Sequence, residues 1–340
     1  MRFGFGLITC QRYPGDARTD ADLYREALDL GDEAERLGFD SVWVSEHHFL
    51  DDSYMPSLLP VCAALAARTS RVEIGTGVLL APLYGNALRL AEDAATVDLL
   101  SGGRLLLGLG LGWRDEEFEA LGVPKQRLGR RLREIVETLR QAWSDGLVTV
   151  GVPEPGVSVT PKPARPGGPP IWLGAFAEPA VRRAGRIADG FLATRATPAV
   201  FAHQVRWLRE ELERAGRDAD RFALGVNLAA FAWPDGDEGW RLVREHLHYV
   251  RWKYLDMANA RARTGPAPAP PPLDAGDEQP LRRSGLIGTP DEVAEGIRAY
   301  AEAAGGDLHF VARLYYPGMD PGIQREAMRV FAEGVIQQLR

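Results

Sequence analysis

Short runs rich in β-branched and apolar residues alternate along the chain with longer segments in which apolar positions recur every three to four residues. That alternation is the pattern of parallel strands, each followed by a covering helix. The first run, residues 3–9, predicts a strand. Asp20 is placed to cap a helix whose Leu23, Ala27, Leu30 and Ala34 share one face, with Gly38 as its stop signal. Residues 40–45 predict the second strand, 57–68 a helix and 72–80 the third strand. A helix over 86–100, a fourth strand over 104–109 and helical segments over 115–143 follow.

The second half continues the alternation. Strands are predicted over 171–173, 191–194, 222–231 and 308–315, and helices over 179–187, 198–215, 238–262, 290–304 and 321–339. Two stretches break the rhythm. Residues 146–168 mix Gly, Pro and short β-prone pieces and predict a hairpin-like excursion. Residues 263–287 carry five prolines between Pro266 and Pro272 and then Arg282-Arg283, and predict an insertion or mobile lid. Eight strand–helix units in one chain, 1–340, imply an α/β fold, a single (β/α)8 TIM barrel with insertions. A doubly wound sheet with an appended domain is the runner-up. In a barrel the active site lies at the carboxyl ends of the strands, so nearness to those ends ranks the candidate residues.

Length and charge narrow the partners. At 340 residues the chain is long enough for one large barrel, and its formal charge of −7 has no block of like charge behind it. Nucleic acid and acidic membrane surfaces therefore have no electrostatic attraction to offer it. The longest apolar stretch, residues 58–67, is interrupted by Pro60 and is far shorter than the ~20 residues needed to span a bilayer. The first residues lack the charged and then apolar regions of a signal peptide. Two cysteines, Cys10 and Cys62, are too few for a disulfide framework. The expectation is a cytoplasmic protein.

The strongest chemical signal is Ser45-Glu46-His47-His48-Phe49, at the end of the second strand. Adjacent residues leave a strand in opposite directions, so one imidazole faces the barrel axis while the other, with Glu46, bonds to the scaffold. An imidazole there suits general acid–base work, and a packed histidine pair is the bland alternative. Metal binding is a poor fit: His246 and His248 diverge on their helix and no His-x-x-x-His pair occurs. Gly75-Thr76-Gly77-Val78 places two glycines in a β-branched strand, which suits a bulge or the close approach of a ligand. Gly108-Leu109-Gly110-Leu111-Gly112-Trp113 is not a dinucleotide fingerprint. It offers a shelf of small residues, with Arg114 beyond it as an anion contact. Gly174-Ala175-Phe176-Ala177 precedes a helix start where backbone N–H groups suit a phosphate, and Thr194-Arg195 lies at the same rim.

Taken together these segments resemble the bacterial luciferase-like flavin oxidoreductases. The resemblance rests on Phe3-Gly4, on Gly38-Phe39-Asp40-Ser41-Val42-Trp43-Val44-Ser45-Glu46-His47-His48-Phe49, and on Gly75 to Val78. Gly102-Gly103-Arg104-Leu105, Gly108 to Trp113, Ala188-Asp189-Gly190 and Gly288-Thr289-Pro290-Asp291-Glu292-Val293 complete it. It implies a barrel that binds reduced FMN delivered by a separate flavin reductase, or in some branches a 5-deazaflavin. With O2 the reduced FMN forms a C4a-peroxide that oxygenates a small organic substrate. His47 matches the active-site histidine and His48 its support, while Gly77-Val78 matches a non-prolyl cis peptide beneath the isoalloxazine ring. Ala175, Phe176 and Ala177 match the phosphate loop, and Thr194 and Arg195 match positions near the flavin. The expected assembly is a homodimer.

There are departures. Gly110 and Leu111 stand where luciferase has a reactive cysteine and an arginine, so light emission is not expected and Gly110 leaves room for substrate. Phe176 and Ala177 replace acidic and hydroxyl residues, so phosphate binding falls to backbone amides and Arg114. A deazaflavin-dependent hydride-transfer enzyme is the nearest alternative. Its polyglutamate-bearing cofactor needs a basic track, for which Arg182, Arg183 and Arg186 are candidates, although they also suit a solvated helix face. A noncatalytic flavin-binding or heterodimer-partner protein is the alternative of another class.

Overall fold

Eight parallel strands close on themselves in the computed structural model, which describes residues 1–194, 196–259 and 269–340. They are β1 (Arg2–Ile8), β2 (Ser41–Val44), β3 (Glu73–Thr76) with its continuation β4 (Leu79–Leu80), β5 (Leu105–Gly110), β6 (Ile171–Ala175), β7 (Gly190–Thr194) and β8 (Ala223–Ala232). The last, β10 (His309–Arg313), follows β9 (Leu286–Gly288), which pairs with β8 outside the ring. Because β10 pairs with both β8 and β1, the ring is closed. This is the (β/α)8 barrel expected from the alternation.

Helices pack around it: α1 (Asp20–Arg36), α2 (Leu58–Arg68), α3 (Ala87–Ser101), α4 (Asp115–Ala120), α5 (Leu128–Trp143), α6 (Glu178–Ile187), α7 (Pro198–Arg214), α8 (Gly236–Asn259), α9 (Ala275–Arg282), α10 (Pro290–Ala304) and α11 (Pro321–Phe331). Their starts follow local chemistry. Thr19 rather than Asp20 caps α1, in a reciprocal box with Asp22, and Thr289 caps α10 in the same way with Glu292. Leu23, Ala27, Leu30 and Ala34 form the buried face of α1, as their spacing predicted. Among the described residues no helix is long and apolar enough to cross a membrane.

The barrel is plugged below its mouth. Leu7, Trp43, Leu106, Trp172, Leu192 and Val311 form a cluster inside the ring. Trp43 and Trp172 meet edge to face at 5.7 Å, and both meet the ring of His309. Ser41 Oγ accepts from Trp43 Nε1 at 2.7 Å and lies 2.7 Å from His309 Nε2. Burial pushes the His309 imidazole down to about 3, so it is neutral. Gly75 belongs to this plug, since a Cβ there would lie 2.4 Å from Trp43 Cδ2. With the lower barrel filled, only the carboxyl mouth can receive a ligand.

One expectation changes, and two stretches gain detail. The single strand expected over 72–80 is split into β3 and β4 by the cis Gly77–Val78 peptide. Residues 146–168 form one antiparallel bridge, Val148 with Val157. Of the expected lid over 263–287, residues 263–268 lie outside the described residues. Of the remainder, residues 269–274 run without regular structure, 275–282 form α9 and 286–287 enter β9. Leu281 is fully buried there, and Glu278 accepts a hydrogen bond of 2.7 Å from Trp240 Nε1.

Candidate functional site at the barrel mouth

Beyond β2 the chain runs on as Ser45 to His48 without regular structure, but it is pinned at each step. Ser45 N–H donates to the Ile8 carbonyl at 3.1 Å and His47 N–H to that of Met55 at 3.2 Å. His48 N–H donates to Glu117 Oε1 at 3.0 Å. The buried His47 ring faces Glu117, with Nδ1 2.9 Å from the same Oε1. Glu117 comes from α4, brought under the mouth by the turn after β5. That turn uses Gly112 at φ +76°, and Phe118 is buried beside it.

Burial pushes the Glu117 carboxyl upward. The His47 and His48 hydrogen bonds and the Arg114 guanidinium outweigh it and hold the group below its usual range. An ionised Glu117 makes His47 Nδ1–H the donor, which leaves the lone pair on Nε2. Around that ring stand Tyr54 at 5.0 Å, Trp113 at 5.8 Å and Tyr254 at 5.8 Å, all edge to face. The arrangement presents one imidazole nitrogen, in a fixed tautomer, to an aromatic-walled space.

His48 takes the other side, as adjacent positions implied. Its Nε2 lies 3.3 Å from Glu46 Oε1, which also accepts from Leu80 N–H at 3.0 Å. The Glu46 hydrogen bond raises the His48 imidazole above its ordinary value, and burial raises the Glu46 carboxyl. The pair ties β2 to β4. Arg114, expected as an anion contact, is instead buried beneath this segment. Its Nη1 donates to the His48 carbonyl at 2.7 Å and pairs with Glu117 at 3.4 Å. The turn at Gly112 aims the side chain inward, away from the phosphate loop.

On one side the mouth is lined by backbone and by small residues. The Gly77–Val78 peptide is cis, and a second non-prolyl cis peptide, Gly6–Leu7, was not anticipated. Val78 lies over both Gly110 and Gly174. A Cβ at Gly110 would stand 2.5 Å from Val78 Cγ2, and one at Gly174 3.0 Å from Val78 Cγ1. Gly110 therefore makes room for Val78 and not, as expected, for substrate. On the opposite side, Thr194, Asn227 and Arg313 come from β7, β8 and β10. Asn227 is the register partner of both Thr194 and Val311.

The β6–α6 junction carries Ala175, the exposed Phe176 and Ala177, the last as an N-cap that supplies no side-chain hydrogen bond. The start of this ten-residue helix is thus left to backbone amides. Glu178 does not face it, because its Oε1 accepts from Arg182 Nε at 2.8 Å, one turn along the helix. Gln204 holds the loop from α7 by donating to the Phe176 carbonyl at 3.0 Å, and its own Oε1 is buried without a partner. The small residues around Val78 and a helix start without a side-chain cap fit a ring with a phosphate tail. Arg195 lies outside the described residues. Cys10 and Cys62 are buried free thiols, both pushed up to about 12 by burial.

The structure therefore gathers His47, Gly77, Val78, Gly110 and Thr194 around one mouth, with His48 and Arg114 behind it and Ala175 to Ala177 on its rim. Sequence reasoning missed Glu117, Tyr54, Tyr254, Asn227 and Arg313. An available signal for Glu117 was the acidic run Asp115-Glu116-Glu117 just beyond a barrel strand. Tyr254 had none, since it reaches the site from α8, far along the chain.

Comparison with known proteins agrees with this geometry. The sequence matches the family described as luciferase-like monooxygenase over residues 1–307. It is 30% identical over 334 residues to an F420-dependent glucose-6-phosphate dehydrogenase of Nakamurella multipartita, covering 93% of this chain and 92% of the relative. A flavin-dependent trigonelline monooxygenase, oxygenase component, of Acinetobacter baylyi is 31% identical over 175 residues, or 50% of this chain and 48% of the relative. The crystal structure of monooxygenase RslO1 from Streptomyces bottropensis superposes with a TM-score of 0.82 at 25% identity, covering both chains completely.

Proposed function

The chain belongs to the luciferase-like monooxygenase family, whose members are oxidoreductases, and within it we propose that this enzyme is an FMN-dependent monooxygenase of a small organic substrate. Bound reduced FMN supplies two electrons and activates O2, and a separate reductase delivers it. The Gly77–Val78 backbone and Val78, backed by Gly110 and Gly174, support the ring, and the amides at the start of α6 hold the phosphate. His47 Nε2 accepts or returns a substrate proton while Glu117 keeps the proton of Nδ1 in place. Tyr54, Trp113 and Tyr254 exclude water from that nitrogen.

The observation that carries FMN over a deazaflavin is the state of the α6 arginines. Arg182 pairs with Glu178 and Glu210, and Arg186 with Glu211, which also pairs with Arg214. Arg183 is packed against α5 at Gly129. A polyglutamate tail would compete with carboxylates already in place. The second reading, deazaflavin-dependent hydride transfer, is favoured by the Nakamurella relative, which matches over nearly the whole chain.

Separate anaerobic titrations with reduced FMN and reduced F420, followed by admission of O2, test the proposal. Tighter binding of FMN and a product carrying one oxygen atom from 18O2 are the expected results. Tighter binding of F420, with oxidation of substrate in the absence of O2, would overturn it.

A further inference from the structure

Arg313 has no role in the chemistry above, yet it stands at the carboxyl end of β10 with its side chain on the inward face of the barrel. Its strand neighbour two positions back, Val311, is part of the interior plug, and side chains alternate along a strand. The residue lies deep in the protein and still keeps accessible surface, as a group on the floor of a cleft does. Among the described residues no carboxylate pairs with it. Its guanidinium lies over the Tyr254 ring, 5.3 Å from the centroid. Deep arginines ordinarily take a carboxylate or phosphate, because a charge removed from water needs a counter-charge.

A second observation marks the same place as a polar subsite. Asn227 is 7% exposed, and its buried Oδ1, an acceptor without a partner, calls for a donor group on the ligand. As the register partner of Val311 on β8, it too faces inward, one step below Arg313. The remaining polar groups nearby are phenols. Tyr54 lies with its hydroxyl 3.3 Å from that of Tyr254 and donates to Ser45 Oγ at 3.2 Å. Burial raises the Tyr54 phenol well above its ordinary value, so it stays neutral, with its one O–H committed to Ser45 Oγ. Among the described residues, the mouth thus holds a guanidinium with no carboxylate paired to it, set among neutral phenols. Tyr254 touches both Arg313 and the His47 ring, so one phenol links the guanidinium to the imidazole.

We propose that Arg313, beside Tyr254, is a substrate subsite for a carboxylate, with Asn227 Oδ1 open to a donor group of the same molecule, and that the substrate is a small organic acid oriented by its carboxylate toward His47. A guanidinium holds a carboxylate through two parallel hydrogen bonds, which fixes direction as well as charge. The proposal rests on the barrel mouth being the reaction site of the function proposed above, and not on which cofactor occupies it.

Tryptophan fluorescence titration of the whole protein tests it, with acetate, butyrate, benzoate and 4-phenylbutyrate measured beside their amides, with and without reduced FMN. At least one acid should bind about tenfold or more tighter than its amide. Arg313→Met should abolish that preference, Arg313→Lys should keep only part of it, and both should leave the Kd for reduced FMN within about twofold. Where the Met variant does not fold, the Lys variant decides, since it retains the charge and loses the paired geometry. The proposal fails if no acid is preferred over its amide or if Arg313→Lys keeps the full preference. It fails as well if either variant raises the Kd for reduced FMN about tenfold while inorganic phosphate competes, which would give the guanidinium to the cofactor. A persistent acid preference in a protein that binds neither FMN nor F420 would sink the cofactor reading and leave this one standing.

Discussion

On the β2–β5 side of the mouth, Glu46, His47, His48, Arg114 and Glu117 are joined by buried and part-buried hydrogen bonds of 2.7 to 3.4 Å. On the β6–β7 side, Gly174, Ala175, Phe176 and Ala177 contribute backbone, and the one side chain holding them, Gln204, reaches in from α7. The first region is organised to fix the tautomer of a single imidazole. The second is organised to present amides, which are the same whatever the side chains are. Substitutions on the first side should therefore appear in turnover, and substitutions on the second in little beyond stability.

The largest effect is expected from His47→Ala. Loss of a positioned acid–base group typically costs about 10²–10⁴ in rate. Steady-state turnover should fall by that much while the Kd for reduced FMN stays within about twofold. Equal losses in turnover and flavin binding would break the division between the two sides.

Glu117→Gln asks whether the partner acts through the imidazole. A glutamine can donate to Nδ1, which would move the proton to Nε2 and remove the lone pair that faces the substrate. Turnover is expected to fall by roughly one to two decades, less than for His47→Ala because the ring remains. Its pH profile should shift, since the ionised carboxylate no longer faces the ring. A fall in turnover with an unmoved pH profile would reduce Glu117 to packing.

The same contrast explains what was legible in the sequence. His47 and His48 were readable because two imidazoles and a carboxylate at a strand end are improbable as packing alone. The barrel was readable because eight repeats of one pattern reinforce each other. Glu117 was only half legible: the acidic run beyond β5 marked it, but its meeting with His47 depends on a turn that delivers α4 beneath β2. Asn227 and Arg313 were hidden for a related reason: strand alternation shows that they face one way, but only closure of the ring through β8 and β10 makes that face the mouth. Gly110 was misread because its open space is filled by Val78, a neighbour from another strand.

That misreading can be tested on the floor both sides share. In Gly110→Ala the new methyl would stand 2.5 Å from Val78 Cγ2. Overpacking of this kind costs about 1–3 kcal/mol, read as a lower denaturation midpoint in urea. Val78→Ala in the same chain should restore part of the loss, because it removes the methyl that is struck. Were Gly110→Ala as stable as the parent and altered only in substrate binding, the space would belong to substrate after all.

The smallest effect is expected from removing the α6 ion pairs, and it bears most directly on the choice of cofactor. Arg182→Ala with Arg186→Ala leaves Glu211 paired with Arg214 alone. With 3.6 residues per turn and a rise of about 1.5 Å per residue, these arginines lie about 6 and about 12 Å down the helix from its start. The amides assigned to the phosphate are untouched by the change. The Kd for reduced FMN should stay within about twofold, with a slight drop in the denaturation midpoint, because exposed pairs contribute little and salt screens them. If these side chains serve a polyglutamate tail instead, the double variant should bind reduced F420 at least about tenfold more weakly, with a loss that shrinks as ionic strength rises. The two outcomes differ in cofactor and in salt dependence, so this surface, the least consequential for turnover, discriminates most sharply between the two readings of the mouth.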